Sequence, residues 1–437
     1  MFSNETFCTL PFSSIQISAS GNFKVCCFSG EITANNKIKG GFGNSYGMAL
    51  DKNGKVMNIM THSIQDAINS ETHKSIRLAQ SQNIKHPECE VCWKKEASHN
   101  HSYRKIQTNR FKDYEGAATV DNAQQLMAAD GSINELPIAL DLRFGNLCNA
   151  KCIHCGPDSS NKWYEDYKII ERKDTFNIGN AQYKVTEENG MFKSNLNELG
   201  KWWQSPIWWE HFEQIKHRLR YVYITGGEPF IVPAHDEFLD RLIAAGLADK
   251  IDLSYDTNLS VINPKIISRL KKFKSITISA SAEDIEDRFE LIRYPLNWER
   301  FVENCKIINK EIKITNFAVS SCIGIYTAYA PLRLVPYFGD LGFNNIRIRT
   351  VHYPFSCDLV HLSNTQKQTI IDNYKNTNIG SHYTDFINNY LTQNRDKENT
   401  LQLHTFVARM NRLDDVRGTD WKATMPDVVD LMKDYIK

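Results

Sequence analysis

Six segments of the chain carry the residue pattern of buried β-strands. They are rich in β-branched and aromatic residues, which favour strands, and they lie at 138–144, 221–225, 250–255, 275–281, 317–326 and 345–351. Stretches with the helical spacing of apolar residues lie between them, at 235–248, 264–273, 297–310 and 330–340. Strands that alternate with helices at this spacing predict an α/β fold with a parallel sheet and crossover helices.

The first part of the chain has a different pattern. Apolar and polar residues alternate on both sides of Gly21, from Ser14 to Cys27. Two alternating segments joined by a glycine turn predict a β-hairpin.

Two other regions differ from the α/β pattern in their composition. The segment 174–200 is polar, and it is followed by paired tryptophans, Trp202-Trp203 and Trp208-Trp209. These pairs either line a groove for an extended peptide or nucleobase or pack a helix at 206–219 onto the α/β core. Beyond residue 361 the chain reads as helical and charged, with a terminal amphipathic helix predicted at 419–437.

The most informative chemistry follows the first of the six strands. Cys148, Cys152 and Cys155 form a C-x3-C-x2-C loop. Three thiolates that bind one [4Fe-4S] cluster leave one iron with an open coordination site, which can bind a substrate or cofactor. The alternatives are a zinc loop or unconnected buried thiols.

A second motif follows the next strand. Tyr221 to Thr225 leads directly into Gly226-Gly227-Glu228-Pro229. Two glycines allow the backbone to turn sharply and to approach a ligand closely, and the acidic residue and the proline then fix the turn. Alone, this stretch is a common strand-ending turn.

The cysteine loop followed by this Gly-Gly-Glu-Pro (GGEP) stretch resembles the radical S-adenosylmethionine (radical SAM) enzymes. The resemblance implies a partial (β/α)6 barrel whose open iron chelates S-adenosylmethionine (SAM), with the GGEP stretch binding the methionine amino group. One departure is His154, because an aromatic residue often stands at this position in the family.

The resemblance also assigns roles after the third and fourth strands. Ser281 and Glu283 would hydrogen-bond the ribose, Arg293 would pair with the SAM carboxylate, and Asn258 would line the pocket. The family usually has aspartate in place of Glu283. The alternative is that Ser281 caps a helix and Arg293 is a surface charge. The full set predicted to bind SAM is Gly226, Gly227, Glu228, Pro229, Asn258, Ser281, Glu283 and Arg293.

Four further cysteines predict a second metal site. Cys8 precedes the predicted hairpin, Cys26 lies at its far end, and Cys89 and Cys92 form a C-x2-C pair. Four such thiolates can enclose a tetrahedral metal or a cuboidal cluster. Cys27 is an alternative to Cys26, because adjacent strand residues point in opposite directions.

This spacing resembles the twitch and SPASM auxiliary-cluster domains that accompany many radical SAM enzymes. Those domains usually follow the barrel, whereas this region precedes it. The resemblance implies an auxiliary [4Fe-4S] cluster, with zinc as the alternative.

The remaining cysteines lie within or beyond the barrel region. Cys305 and Cys322 fall in a predicted helix and strand, and Cys357 follows the sixth strand. A thiol at the mouth of the barrel could return a hydrogen atom to a substrate radical, so Cys357 is a candidate catalytic hydrogen donor. A buried, inert cysteine is the alternative for each.

Composition narrows the class of protein. The chain has 437 residues, 41% of them hydrophobic, and a formal net charge of +1. This balance gives no signal for nucleic acid or for an anionic membrane. No apolar segment is long enough to span a bilayer, and the first residues lack the pattern of a signal peptide, so we expect a cytoplasmic protein. In a reducing compartment, eleven cysteines indicate metal ligation rather than disulfides.

The predicted organisation has four parts. They are an auxiliary-cluster region at 1–100, a helical connector at 101–135, a radical SAM barrel at 136–360 and a helical region at 361–437.

The resemblance implies an oxidoreductase that cleaves SAM reductively to a 5′-deoxyadenosyl radical and takes a hydrogen atom from a substrate. Because barrels with such auxiliary domains most often modify ribosomally made peptides, a peptide or protein substrate is expected, with oxidative modification or epimerisation as the outcome. A reducing partner such as flavodoxin or ferredoxin would supply the electron. The alternatives are a radical SAM enzyme acting on a small metabolite or nucleotide, and a non-catalytic zinc or iron-sulfur protein.

Overall fold

The computed structural model describes residues 2–32, 38–39, 47–99, 102–178, 181–196 and 201–436. Five ends of predicted segments lie outside these ranges, namely residues 1, 100, 101, 200 and 437. The chain forms two compact units. The first unit comprises Met1–Leu147, Asp174–Tyr255 and Ser268–Ile276, and the second comprises Cys148–Lys173, Asp256–Ile267 and Thr277–Lys437.

The strands of the described residues are numbered in chain order. They are β1 (Ser14–Ile17), β2 (Phe23–Lys24), β3 (Glu31–Ile32), β4 (Ile38–Lys39), β5 (Ala139–Arg143), β6 (Thr175–Ile178), β7 (Ala181–Glu188), β8 (Met191–Ser194), β9 (Tyr221–Thr225), β10 (Asp252–Thr257), β11 (Ser275–Ser281), β12 (Ile314–Ile323) and β13 (Ile346–Thr350).

The α-helices of the described residues are numbered in the same way. They are α1 (Leu10–Ser13), α2 (Ile64–Ile68), α3 (Glu71–Ser81), α4 (Glu90–His99), α5 (Tyr103–Phe111), α6 (Ala123–Leu126), α7 (Trp163–Ile170), α8 (Pro206–Ile215), α9 (Pro233–Ala244), α10 (Pro264–Leu270), α11 (Glu286–Ile292), α12 (Trp298–Glu311), α13 (Pro331–Asp340), α14 (Asn364–Lys375), α15 (Ser381–Gln393), α16 (Thr400–Arg417), α17 (Trp421–Thr424) and α18 (Pro426–Met432).

The first unit is built on parallel strand pairs. Its neighbouring strands follow the order β10-β9-β5-β1-β2, and the β10–β9, β9–β5 and β5–β1 pairs are parallel. The first four positions of β5 are buried, as expected for a strand covered on both faces. β1 and β2 pair antiparallel, with Gln16 opposite Lys24. The N-terminal hairpin is therefore confirmed, and its first strand extends the sheet beside β5.

The second unit contains β12 and β13, which pair in parallel from Val319 opposite Ile346 to Ile323 opposite Thr350. Its hydrophobic core joins barrel residues to the C-terminal helices and includes Trp163, Tyr326 and Trp421. The mixed α/β fold with parallel strands and intervening helices agrees with the prediction.

The C-terminal end differs from the prediction of one terminal helix at 419–437. The structure has two short helices, α17 and α18, followed by a 3₁₀ turn at Lys433–Tyr435. Pro426 is the first residue of α18. Proline disfavours helical backbone in the residue before it, so the helix is interrupted at Met425.

The polar segment 174–200 contains strands that the sequence analysis did not predict. β7 pairs antiparallel with both β6 and β8. Asn189 and Gly190 connect β7 to β8, and both have positive φ, at 52° and 74°. An Asn-Gly pair between alternating residues is a strong hairpin signal, so this element could have been found from the sequence.

One tryptophan of each pair packs in the core of the first unit. Trp202 and Trp208 are almost fully buried, and their rings meet at a centroid distance of 5.0 Å. Trp202 stacks on Phe144 and Trp208 on Phe238. These contacts attach α8 to the core of the first unit, so the packing interpretation is the one that the structure supports.

No helix of the described residues has both the length and the apolar surface needed to span a lipid bilayer.

Candidate metal centres and cofactor site

The C-x3-C-x2-C loop opens the second unit and places its sulfur atoms in a buried region. Cys148 and Cys152 are buried and Cys155 is half-buried. The ligand atoms of Cys152, His154 and Cys155 all lie within 4.8 Å of one another. The Cys148 sulfur lies 3.9 Å from Nδ2 of Asn258. Cys152 and Cys155 thus lie close together, and the Cys148 thiol is near enough to act electrostatically on Cys155, so the three thiols fit an iron-sulfur cluster.

His154 has polar contacts on both ring nitrogens. Nδ1 lies 3.0 Å from the Tyr326 hydroxyl, and Nε2 lies 3.6 Å from a carboxylate oxygen of Glu283. The His154 and Tyr326 rings are nearly parallel. The imidazole is therefore held between the Tyr326 hydroxyl and the Glu283 carboxylate.

The segment after the cysteines holds the loop in place. Asn161 accepts a hydrogen bond from the Cys148 amide at 3.0 Å, and the Ser160 hydroxyl donates to the Ala150 carbonyl at 2.5 Å. The Trp163 indole N–H donates to the Cys152 carbonyl at 3.0 Å. None of these three residues was predicted from the sequence. Their signal was weak, namely polar and aromatic residues within a few positions of a metal-binding loop.

A cation lies next to the cysteines. The Arg293 guanidinium is 3.7 Å from the Cys152 sulfur. A hydrogen bond from Cys155 lowers the pKa of Cys152 and Arg293 lowers it further, although burial acts in the opposite direction. The same thiol–thiol hydrogen bond, together with burial, raises the pKa of Cys155. The loop thus stabilises thiolate character at Cys152, which metal ligation requires.

Arg293 and Glu283 form a buried pair. Two bonds of 2.7 Å join the guanidinium to the carboxylate, and Glu283 is completely buried. Ser281 ends β11 and is not a helix cap, because α11 begins at Glu286 after Ile285. The alternative of a surface arginine and a capping serine is therefore wrong. The assigned contacts with ribose and carboxylate stay predictions.

Asn258 follows the third predicted strand and is buried. Its side chain donates to Asn149 at 2.9 Å and accepts from the Ser260 hydroxyl at 2.6 Å. Asn149 follows Cys148 in the chain, so Asn258 is fixed directly against the cysteine loop.

The Gly-Gly-Glu-Pro turn lies in the first unit, at the end of β9. A Cβ atom on Gly227 would lie 2.0 Å from the Leu147 carbonyl oxygen, and Gly226 has a φ of +127°. The Glu228 amide donates to the same carbonyl at 2.8 Å. Leu147 immediately precedes Cys148. Glycine is therefore required at 227 because two stretches of backbone meet there.

Glu228 and Pro229 complete the turn. Glu228 is buried, and its carboxylate accepts a hydrogen bond from the Phe230 amide at 3.1 Å. Pro229 begins a 3₁₀ turn that ends at Ile231.

The four N-terminal cysteines predicted as ligands line one small cavity in the first unit. Cys8, Cys26, Cys89 and Cys92 share it with Phe28, Tyr103 and Arg104. Burial raises the pKa of Cys8 to about 12 and also raises the pKa values of the other three thiols. Four thiols that line one small cavity fit a metal or cluster whose binding would displace their protons.

The structure distinguishes Cys26 from Cys27. Cys26 lines the cavity. The Cys27 thiol instead interacts with Asp141, Arg143 and Tyr103. β2 ends at Lys24 and Cys27 lies in the turn that follows it, so the turn, and not the alternation of a strand, separates the two thiols.

Of the remaining cysteines, Cys305 and Cys357 are core thiols and Cys322 is partly buried. Cys305 and Cys357 are completely buried. Burial raises the pKa of Cys322 to about 12 and that of Cys357 to about 11. Cys357 packs in the hydrophobic core of the second unit with Tyr326 and Val351. Such surroundings favour the alternative of an inert thiol, and the role of hydrogen donor stays a prediction.

One polar group near the end of β13 was also missed. The His352 ring lies 2.9 Å from a carboxylate oxygen of Asp358 and 3.0 Å from the Thr350 hydroxyl. Its position just beyond the sixth strand was the available signal, because ligands gather at the carboxyl ends of parallel strands.

Two regions of the chain match known families. Residues 208–325 match the Radical SAM superfamily, and residues 8–93 match SPASM, an iron-sulfur cluster-binding domain. The chain therefore contains a region similar to radical SAM enzymes and a region similar to SPASM-type auxiliary-cluster domains. These domain types imply [4Fe-4S] clusters and SAM as cofactors, and the second match favours iron over zinc at the N-terminal site.

Comparison with individual proteins adds only distant relatives. The chain is similar to anSMEcpe with bound AdoMet, at 16% identity over 55% of this chain and 61% of that one, with a TM-score of 0.37. It is also similar to SuiB from Streptococcus suis bound to precursor peptide SuiA, at 14% identity over 77% and 66% of the two chains and a TM-score of 0.37. The chain thus spans about six tenths of the length of the first of these structures. No curated protein matches it.

Proposed function

We propose that this protein is a radical SAM oxidoreductase that acts on a peptide or protein. The observation that carries the proposal is the cysteine loop, which offers three buried or half-buried thiols beside a cation. The match of residues 208–325 to the Radical SAM superfamily supports the same chemistry.

The chain's own residues bind and orient the cofactors. Cys148, Cys152 and Cys155 would hold the cluster, and the GGEP turn and the Glu283–Arg293 pair would position SAM. When bound, these cofactors supply a one-electron cleavage of SAM that yields a carbon radical able to remove a hydrogen atom from a substrate. The protein excludes water around the reaction, and burial of Cys152 and Glu283 is consistent with that role.

The auxiliary site favours oxidation over epimerisation. Four cysteines line its cavity, so a cluster there needs no exogenous ligand. Such a cluster would accept an electron from the substrate radical, whereas epimerisation requires a hydrogen atom to be returned. A reducing partner such as flavodoxin or ferredoxin would supply the electron that starts each turnover.

The peptide substrate is supported by the SPASM-type match at residues 8–93. The tryptophan pairs do not support a peptide substrate, because Trp202 and Trp208 are buried in the core and cannot contact one. A small metabolite or nucleotide is the second candidate substrate.

The first experiment is anaerobic reconstitution, with iron and sulfide counted per chain and 5′-deoxyadenosine followed under a strong reductant. Two [4Fe-4S] clusters correspond to about eight irons. Cys152→Ala should abolish 5′-deoxyadenosine release and leave the auxiliary iron. Cys305→Ala is the matched control, because it removes a buried thiol of α12 remote in sequence from both motifs. Undiminished cleavage by Cys152→Ala, or zinc with no iron in the wild type, would contradict the proposal.

The substrate class needs a separate test. A polypeptide fraction of cell extract should stimulate 5′-deoxyadenosine release, and the same fraction should lose this effect after protease treatment and removal of the protease. If stimulation survives protease treatment, the small-metabolite alternative replaces the peptide.

A further inference from the structure

The backbone of the cysteine loop is held by side chains at four consecutive carbonyl groups, those of residues 150 to 153. Ser160 and Trp163 donate to the first and third of these carbonyls. Arg417 donates to the Lys151 carbonyl at 2.7 Å, and Arg409 donates to the Ile153 carbonyl at 3.3 Å. A loop outside regular secondary structure must find such partners for its buried polar groups.

The two arginines belong to α16, far along the chain from the cysteines. The hydrogen bonds span 266 and 256 residues. Nothing in the cysteine motif indicates this contact. The C-terminal helical region therefore contributes directly to the conformation of the loop, although no motif marks it in the sequence.

Both arginines are fixed by carboxylates at the ends of their side chains. Arg417 pairs with Asp166 at 2.8 Å, and the two side chains are 1% and 0% exposed. Arg409 pairs with Glu171 at 2.5 Å. Both guanidinium groups also lie over the Trp163 ring, at 5.0 and 5.1 Å. The helix is thus held against α7 and the loop together.

The charged side chains around Arg417 carry a net positive charge. Asp166 is shared by Arg417 and Lys151, whose ammonium nitrogen lies 2.5 Å from the other carboxylate oxygen. Two cations face one anion, so one positive charge remains beside the loop. Arg417 is close enough to act electrostatically on Cys152.

We infer that α16 is part of the iron-sulfur site, with Arg409 and Arg417 as positioning residues that hold the cysteine loop and with Arg417 raising the reduction potential of its cluster. The inference rests on the proposed function, because it assumes a cluster on the three cysteines. Positive charge near a cluster stabilises its more negative, reduced form, and hydrogen bonds and net charge are established determinants of cluster potential.

The test compares Arg417→Gln, Arg409→Gln and Arg417→Lys in the full chain. Arg412→Gln is the matched control, because Arg412 is on the same helix and donates to the Ile170 carbonyl rather than to the loop. The cluster of interest is identified as the one whose electron paramagnetic resonance signal changes when SAM is added. Its potential is measured by redox titration, and the auxiliary cluster serves as an internal standard.

We expect Arg417→Gln to lower the ratio of reduced to oxidised cluster about tenfold at a given potential, which corresponds to about 59 mV for one electron. Arg417→Lys should recover most of this shift, since it restores the charge. Arg412→Gln and the auxiliary cluster should be unchanged. Equal potentials in Arg417→Gln and Arg412→Gln would overturn the electrostatic part of the inference.

The role of the two arginines in positioning the cysteine loop is tested in the protein without its iron-sulfur clusters. In the apo-protein, peptide mapping should show that a maleimide labels Cys155 several-fold faster in Arg409→Gln and Arg417→Gln than in Arg412→Gln. Equal labelling rates would overturn the positioning role. A wild-type protein that shows no SAM-responsive cluster would contradict the proposed function, while the labelling experiment would still decide the role of α16.

Discussion

The two cysteine sites share an arginine–glutamate pair but differ in the number of thiols that they offer to a cluster. Each lies beside a buried or nearly buried arginine–glutamate pair, Arg293–Glu283 at the C-x3-C-x2-C loop and Arg104–Glu96 at the N-terminal cavity. The N-terminal cavity gathers four thiols from separate segments, whereas the loop offers three from one short stretch. Four thiols can complete a cluster, and three leave an iron for a ligand. The comparison separates a site suited to electron transfer from one suited to catalysis.

The largest expected effect tests which thiols complete the N-terminal site. Cys26→Ser should remove about four irons per chain, because it takes away one ligand of a cubane cluster. Cys27→Ser should retain all the iron, since the Cys27 thiol faces Asp141 and Arg143. Iron and sulfide analysis after anaerobic reconstitution provides the measurement. The reverse pattern would show that the hairpin presents the other cysteine to the metal.

The next effect concerns the Gly-Gly-Glu-Pro turn, where Gly227 approaches the Leu147 carbonyl. Gly227→Ala forces a Cβ to within 2.0 Å of the Leu147 carbonyl, so the backbone must move at a cost of about 1–3 kcal/mol. SAM binding should weaken at least tenfold by calorimetry, while iron at the N-terminal cavity is retained. Gly339→Ala is the control, because a Cβ there meets nothing within 4 Å. An unchanged affinity of Gly227→Ala for SAM would show that the turn does not contribute to the cofactor site.

A further effect, on the free energy of unfolding, compares the two arginine–glutamate pairs. Breaking a buried pair leaves an uncompensated charge and costs about 3–5 kcal/mol. Glu283→Gln should approach that range in urea unfolding of the apo-protein, since Glu283 is 0% exposed. Glu96→Gln should cost less, because Glu96 is 14% exposed and partly hydrated. Equal losses would mean that burial does not distinguish the two sites.

The smallest effect is on the thiols outside both sites. With pKa values raised by burial to about 12 and about 11, Cys322 and Cys357 remain almost entirely protonated near pH 8. Their alkylation should therefore be slow and should increase about tenfold per pH unit up to those pKa values, since the thiolate is the nucleophile. Mass spectrometry of labelled peptides checks this. A plateau for Cys357 below pH 9 would indicate an activated thiol and favour its role as a hydrogen donor.

The features that could be predicted from the sequence are those marked by a pattern of neighbouring residues. The cysteine loop, the glycine turn and the strands of the parallel sheet are each marked by residues that lie close together in the chain. Gly227 is an example, because its need for close backbone approach could be anticipated from the strand before it.

Other features depend on distant packing and could not be predicted in this way. Arg409 and Arg417 are ordinary residues of a charged helix until the fold brings them to the loop. The pairing of Glu283 with Arg293 also required the structure, since the resemblance assigns them to different groups of SAM, the ribose and the carboxylate. The interruption of the terminal helix at Pro426 could have been predicted, because the effect of a proline on the residue before it is local.

The pairing of β1 with β5 has a consequence for how this protein can be divided. The hairpin covers what would otherwise be the exposed edge of β5, along a register that runs from Ser14 opposite Ala139 to Ile17 opposite Leu142. Removing the first hundred residues would expose a hydrophobic strand with unsatisfied backbone groups, which is a template for aggregation. The N-terminal cysteine region is therefore a poor candidate for excision or exchange between relatives, even though it precedes the barrel in the chain.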